Sequence, residues 1–199
     1  MDEHLDRPED IDFESDAPKE SPPPSSLELS RTGLKSIQGA EPADQSDVAP
    51  LLHGTPDEVA SLQQSYAQLQ TTEVGKEITD AIRKNGTTVQ FGVTGDGVVA
   101  QFDSFSNHIT VDEGMKEATP AVLAAHLAHE GTHVLWNEPD SIDQEYHAFE
   151  AEAKVWNQLK GDKTDSQCGA VSTMIASGET EAKAQIRQMY PALPEYWRK

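Results

Sequence analysis

The chain has one cysteine, Cys168, among its 199 residues. That excludes an internal disulfide framework and any cysteine-rich structural zinc cluster. No histidine lies near Cys168 in sequence, so it reads as a packed or incidental residue rather than a nucleophile. Basic residues are also scarce: 15 Lys and Arg stand against 35 Asp and Glu, a net charge of −20. A surface so acidic argues against nucleic acid, whose phosphates need Lys and Arg, and against anionic membranes. The plainest role for the charge is solubility. No run of about 18 apolar residues exists, so no membrane-spanning helix is expected. The first ten residues, MDEHLDRPED, lack the basic and apolar regions of a secretory leader. A cytoplasmic location, or export by a route that leaves no such mark, is expected.

Aromatic residues are rare as well, and residues 1 to 50 contain only Phe13. The same stretch carries 13 acidic residues, 4 basic residues and 7 of the 12 prolines. Such a composition cannot bury enough apolar surface to offset chain entropy, so a disordered acidic tail is expected there. A folded domain is expected over 51 to 199.

The motif that organises this domain lies in residues 119 to 136, TPAVLAAHLAHEGTHVLW. His129, Glu130 and His133 form H-E-x-x-H. On a helix, positions i and i+4 share a face, so two imidazoles can meet one metal ion with the glutamate beside them. Thr119 is a good N-cap, and Pro120 suits the first helical position. Val122, Leu123, Leu127, Val134 and Leu135 suit a helix buried on much of its surface. Histidine and glutamate in such a helix need partners, and a metal would supply one.

Catalytic zinc takes three protein ligands and keeps one position for water. Pro139 stops the first helix, and Ser141-Ile142-Asp143-Gln144 reads as a capping box opening a second. The second helix offers Glu145, His147, Glu150 and Glu152. In an antiparallel hairpin about the 137–141 turn, His133 and Glu145 both lie about 6 Å from the turn, at about 1.5 Å per residue. Glu152 lies about 16 Å away on the same count, level with His126. Glu150 is rotated about 140° from Glu145, and His147 is also off the face. Glu145 is therefore the favoured third ligand, with Ala148 one turn on leaving room for close helix packing. Glu152 is the second choice, and Glu150 reads as a solvated position.

HEGTH, a short spacer and then Glu145-Tyr-His-Ala148 resemble the gluzincin type of zinc metallopeptidase, in which a glutamate on a later helix is the third ligand. The resemblance is closest to small single-domain metallopeptidases of bacteria and phages and to toxin modules of polymorphic secretion systems. It covers roughly residues 55 to 160. The metzincin pattern is not met, because Trp136 stands where that motif has Gly. The resemblance implies an α+β, zincin-like fold, with a small antiparallel sheet packed on the active-site helix and covering helices around it. It further implies Zn2+ as the cofactor, a protein or peptide substrate, and Glu130 as general base. A secreted effector or toxin protease, with an inhibitor or immunity protein as partner, is one biological setting. A catalytically inactive, metal-stabilised binding module is the alternative from another class.

The remaining elements follow from periodicity. Thr55-Pro56 opens a helix to Leu69, and a second helix spans 73 to 84 and ends at Asn85-Gly86. Val89, Phe91 and Val93 alternate with polar residues, as do Val98, Ala100 and Phe102, then Ile109 and Val111. This predicts a three-stranded antiparallel meander. The zincin likeness makes the 107–112 strand the edge that takes extended substrate, with His108 and Asp112 near the cleft or simply on an exposed face. A helix over 164–177 is an open question, and another is expected over 179–189. The final stretch, MYPALPEYWRK, is expected to pack back on the domain. Tyr190 or Tyr196 would then be the residue that polarises the substrate carbonyl, as a tyrosine does in related folds.

Overall fold

The structure is a computed structural model, described for residues 52–161 and 165–196. The expected acidic tail over 1 to 50 lies outside the described residues. The fold is α+β: the described residues form six α-helices and a small four-stranded sheet, against which α1 and α3 pack.

The order along the chain begins with β1 (Leu52–His53), α1 (Pro56–Gln70) and α2 (Glu73–Lys84). The sheet strands β2 (Thr88–Gly92), β3 (Ala100–Asp103) and β4 (His108–Asp112) follow. A 3-10 turn at Glu113–Met115 leads to α3 (Pro120–Trp136), the helix of the H-E-x-x-H motif. The chain then forms α4 (Ile142–Gln158), α5 (Ser166–Ala176) and α6 (Glu179–Met189). No helix among the described residues is long and apolar enough to cross a membrane.

Local chemistry starts these helices where the sequence places them. Thr55 accepts from the Glu58 N–H while the Glu58 carboxylate accepts from the Thr55 N–H, a full capping box on α1. Thr119 caps α3 through the Val122 N–H, with Pro120 at the first position. Ser141 caps α4 through the Gln144 N–H. The expected capping box is only half formed, because the Gln144 side chain donates to the Glu138 carbonyl instead. Two more N–H groups at this end, of Ile142 and Asp143, donate to the carbonyls of Pro194 and Glu195. The C-terminal segment thus does pack back on the domain, and it does so by satisfying donors a helix start cannot pair internally.

α3 is the central element. Thirteen of its residues, Val122 through Val134, are buried. Leu123 and Leu127 are fully enclosed, each worth about 1.5–3 kcal/mol of burial. α3 packs against α1, α2 and α4 and lies along β3. Gly131, inside the motif, faces α2 so closely that a Cβ there would sit 2.3 Å from Ile78 Cγ2. The helix ends at Asn137, which adopts a left-handed conformation with φ 45° and ψ 39°, before Pro139 can act.

The sheet corrects the expected meander. Its order is β1-β2-β4-β3: β2 runs parallel to β1 and to β4, and only β3 is antiparallel to β4. The sheet is therefore mixed, not antiparallel. The 93–99 segment is not a tight hairpin turn, for Val93 is 86% exposed and Val98 also faces solvent. It carries the chain outward, so that β3 returns on the far side and β4 inserts between β2 and β3. Strand alternation reports which face a residue occupies and says nothing about which strand is its neighbour. The 107–112 strand is accordingly interior, with Ile109 and Val111 fully buried. His108 and Asp112 lie on its half-buried opposite face, and the free edge beside α3 belongs to β3.

Candidate metal centre

α3 and α4 pack as an antiparallel pair, and the three expected ligands meet between them. His129, His133 and Glu145 are all buried, and one donor atom from each lies within 4.8 Å of the others. His129 Nε2 is 3.5 Å from Glu145 Oε2, and His133 Nε2 is 3.7 Å from Glu145 Oε1. Those separations are too long for strong hydrogen bonds. They are close to the spacing of ligand atoms around a tetrahedral zinc, about 3.4 Å for bonds of about 2.0–2.2 Å.

Two buried polar atoms here make no hydrogen bond, Glu145 Oε2 and His133 Nδ1. Each unmet group costs about 1–3 kcal/mol. A cation among the two Nε2 atoms and the carboxylate would meet the first of them. The donor set, two imidazoles and one carboxylate, is also one that zinc takes in hydrolytic sites. The residues therefore fit the metal that the sequence motif implies.

Burial pushes the His129 pKa down, but Glu145, Glu152 and the Glu130 charge outweigh it and leave His129 well above its ordinary value. Burial pushes Glu145 up, and its pairing with His129, with the charge of His133, outweighs that and holds it below the usual carboxylate range.

Glu152 separates from Glu145 as depth along the hairpin suggests. It is almost fully buried and stands behind His129, with Oε2 3.2 Å from Nδ1. Its second oxygen faces His126 Nδ1 at 3.5 Å, level with that residue as expected. Glu152 thus stands behind the His129 ring, a place the sequence reading did not assign it. Its placement level with His126 was the available signal. A carboxylate on the far nitrogen of a ligand imidazole fixes the tautomer and ring orientation and raises its basicity. The Phe149 ring packs edge-on against His129, with centroids 4.5 Å apart.

Glu130 lies beside the first histidine, and its Oε2 accepts the Phe102 N–H at 2.8 Å. Phe102 is on β3, so a backbone donor on the free sheet edge ties down this carboxylate. No sequence pattern marks that contact, because any residue supplies the N–H. Glu150 pairs with Lys154 and His147 on the outer face of α4, as a solvated position should. His147 stacks near Trp136 at 4.5 Å and stays out of the cluster. Of the two tyrosines, Tyr190 belongs to this neighbourhood: its ring is 6.5 Å from that of Phe149. Tyr190 is itself 37% exposed, and the partial burial of its hydroxyl raises its pKa, reinforced by the charges of Glu145, Glu130 and Glu152. Tyr196, on the C-terminal segment, is about half exposed.

No protein-family model, curated protein or solved structure matches this chain.

Proposed function

We propose that this protein is a zinc-dependent peptidase of zincin-like fold. The observation that carries the reading is the convergence of His129 Nε2, His133 Nε2 and the two oxygens of Glu145, with Glu130 alongside. His129, His133 and Glu145 would hold the ion. The chemistry zinc would supply there is a lowered water pKa, towards about 7, and polarisation of the scissile carbonyl.

The chain's own groups supply the rest. Glu130 takes the proton from the attacking water and returns it to the leaving amine. Its bond to the Phe102 N–H keeps one carboxylate oxygen fixed and leaves the other for the water. Glu152 holds the His129 ring from behind. Tyr190, whose ring is 6.5 Å from that of Phe149, would donate its hydroxyl to the carbonyl oxygen as negative charge develops. Extended substrate adds to the β3 edge, because β4 is enclosed on both sides.

The test is Glu130→Gln assayed on protein and mixed-peptide substrates. The variant should keep its zinc and lose turnover by about 10²–10⁴-fold, the usual worth of a positioned base. A Gln variant that cleaves as well as the parent would remove Glu130 from the mechanism.

A further inference from the structure

A second group of potential ligands lies directly behind the first. His126 on α3, Glu152 on α4 and Cys168 on α5 are all buried, and one donor atom from each lies within 4.8 Å of the others. Three helices therefore converge on one point. His126 is 3% exposed, Glu152 2% and Cys168 0%. Glu152 Oε1 points at His126 Nδ1 from 3.5 Å, the same spacing found between donors in the first site. Glu152 Oε1 makes no hydrogen bond, and an ion between it and His126 Nδ1 would meet that buried oxygen. Buried carboxylate oxygens are rarely left without a protein, water or ion partner.

We propose that His126, Glu152 and Cys168 form a second metal site, separate from the hydrolytic one, that takes zinc in a structural role. Thiolate, imidazole and carboxylate are all zinc ligands. The thiolate and the Glu152 carboxylate together cancel the charge of a divalent ion, which suits a site with no access to water. Atoms around zinc lie about 3.5 Å apart for bonds of about 2.0–2.3 Å, and His126 Nδ1 and Glu152 Oε1 already have that spacing. Asp165 caps α5 beside this group, its Oδ1 accepting the Cys168 N–H at 2.8 Å. Metal binding would release the thiol proton to solvent.

The consequence reaches the first site through one side chain. Glu152 would ligate the second ion through Oε1 and hold His129 through Oε2. The ion would also fasten α5 to the α3–α4 pair.

Cobalt(II) supplied in place of zinc during expression of the full chain separates the two sites, because a thiolate–cobalt bond has a near-ultraviolet charge-transfer band and the first site contains no sulfur. Cys168 is the chain's one cysteine, so the band reports on it alone. The wild type should hold about two cobalt ions per chain and show the band. Cys168→Ala should lose the band and one ion, while His133→Ala should lose one ion and keep the band. A wild type without the band overturns the second site, whatever the variants do. A second ion that persists in Cys168→Ala overturns it too. A wild type with the band and one ion only would support the second site and count against the first.

Discussion

Replacing Gly131 with alanine inserts one methyl at the tightest contact of α3. The new Cβ would meet Ile78 Cγ2 at 2.3 Å and Ile82 Cδ1 at 3.0 Å. Ile78 must retreat by about 1 Å to reach ordinary contact, yet it is 1% exposed and Ile82 is 0% exposed. Overpacking of this kind costs about 1–3 kcal/mol, and the lack of space puts this site near the upper end. Alanine offsets about 1 kcal/mol of that through its higher helix propensity. The net effect is a loss of about 2 kcal/mol, or about 4–8 °C in Tm for a domain of this size. Thermal unfolding followed by circular dichroism measures it. Ile78→Ala opens the space, so Gly131→Ala in that background should be neutral or stabilising, a coupling of about 2 kcal/mol in the double-mutant cycle. A Tm that rises on Gly131→Ala alone, as at an exposed helical glycine, would refute the packing argument. The glycine inside the metal motif would then be free to vary.

Other outcomes follow from the same structure. Glu152→Ala removes the group behind His129 and should weaken zinc binding at the first site by about 10–100-fold in a chelator competition, without abolishing it; unchanged affinity would detach Glu152 from the metal. Lys116, with the Thr55 cap, holds Glu58 at about 2, far below its ordinary value. A depressed carboxylate stabilises the fold above its unfolded pKa of about 4.3 and loses that contribution as pH falls towards 2. Wild type should therefore be more stable than Glu58→Gln near neutrality, and the two melting curves should converge as pH falls from about 4.3 to 2. A gap that widens on acidification would contradict the assignment.

The parts of the molecule legible in the sequence are those set by short-range geometry. Thr55, Thr119 and Ser141 announced three helix starts because a cap acts within three residues. Glu145 and Glu152 could be told apart because helical rise converts residue counts into depth, and the pair indeed lies at two depths, one beside His133 and the other beside His126. Strand pairing was not legible, since the alternation of Val89, Phe91, Ile109 and Val111 fits a parallel neighbour as well as an antiparallel one. The short β1 pairing of Leu52 and His53 left no signal at all. The role of Phe102 was invisible because a backbone N–H has no sequence signature. Cys168 looked incidental because its neighbours, His126 and Glu152, come from two other helices and meet it only in the folded chain.

The most direct test of the central claim is zinc content in a chain that lacks the second group of ligands. Cys168→Ala, purified and measured by mass spectrometry, should carry about one zinc per chain, and Cys168→Ala with Glu145→Ala should carry almost none. Equal zinc in the two, or no zinc in the first when zinc is supplied, would contradict a metal held by His129, His133 and Glu145.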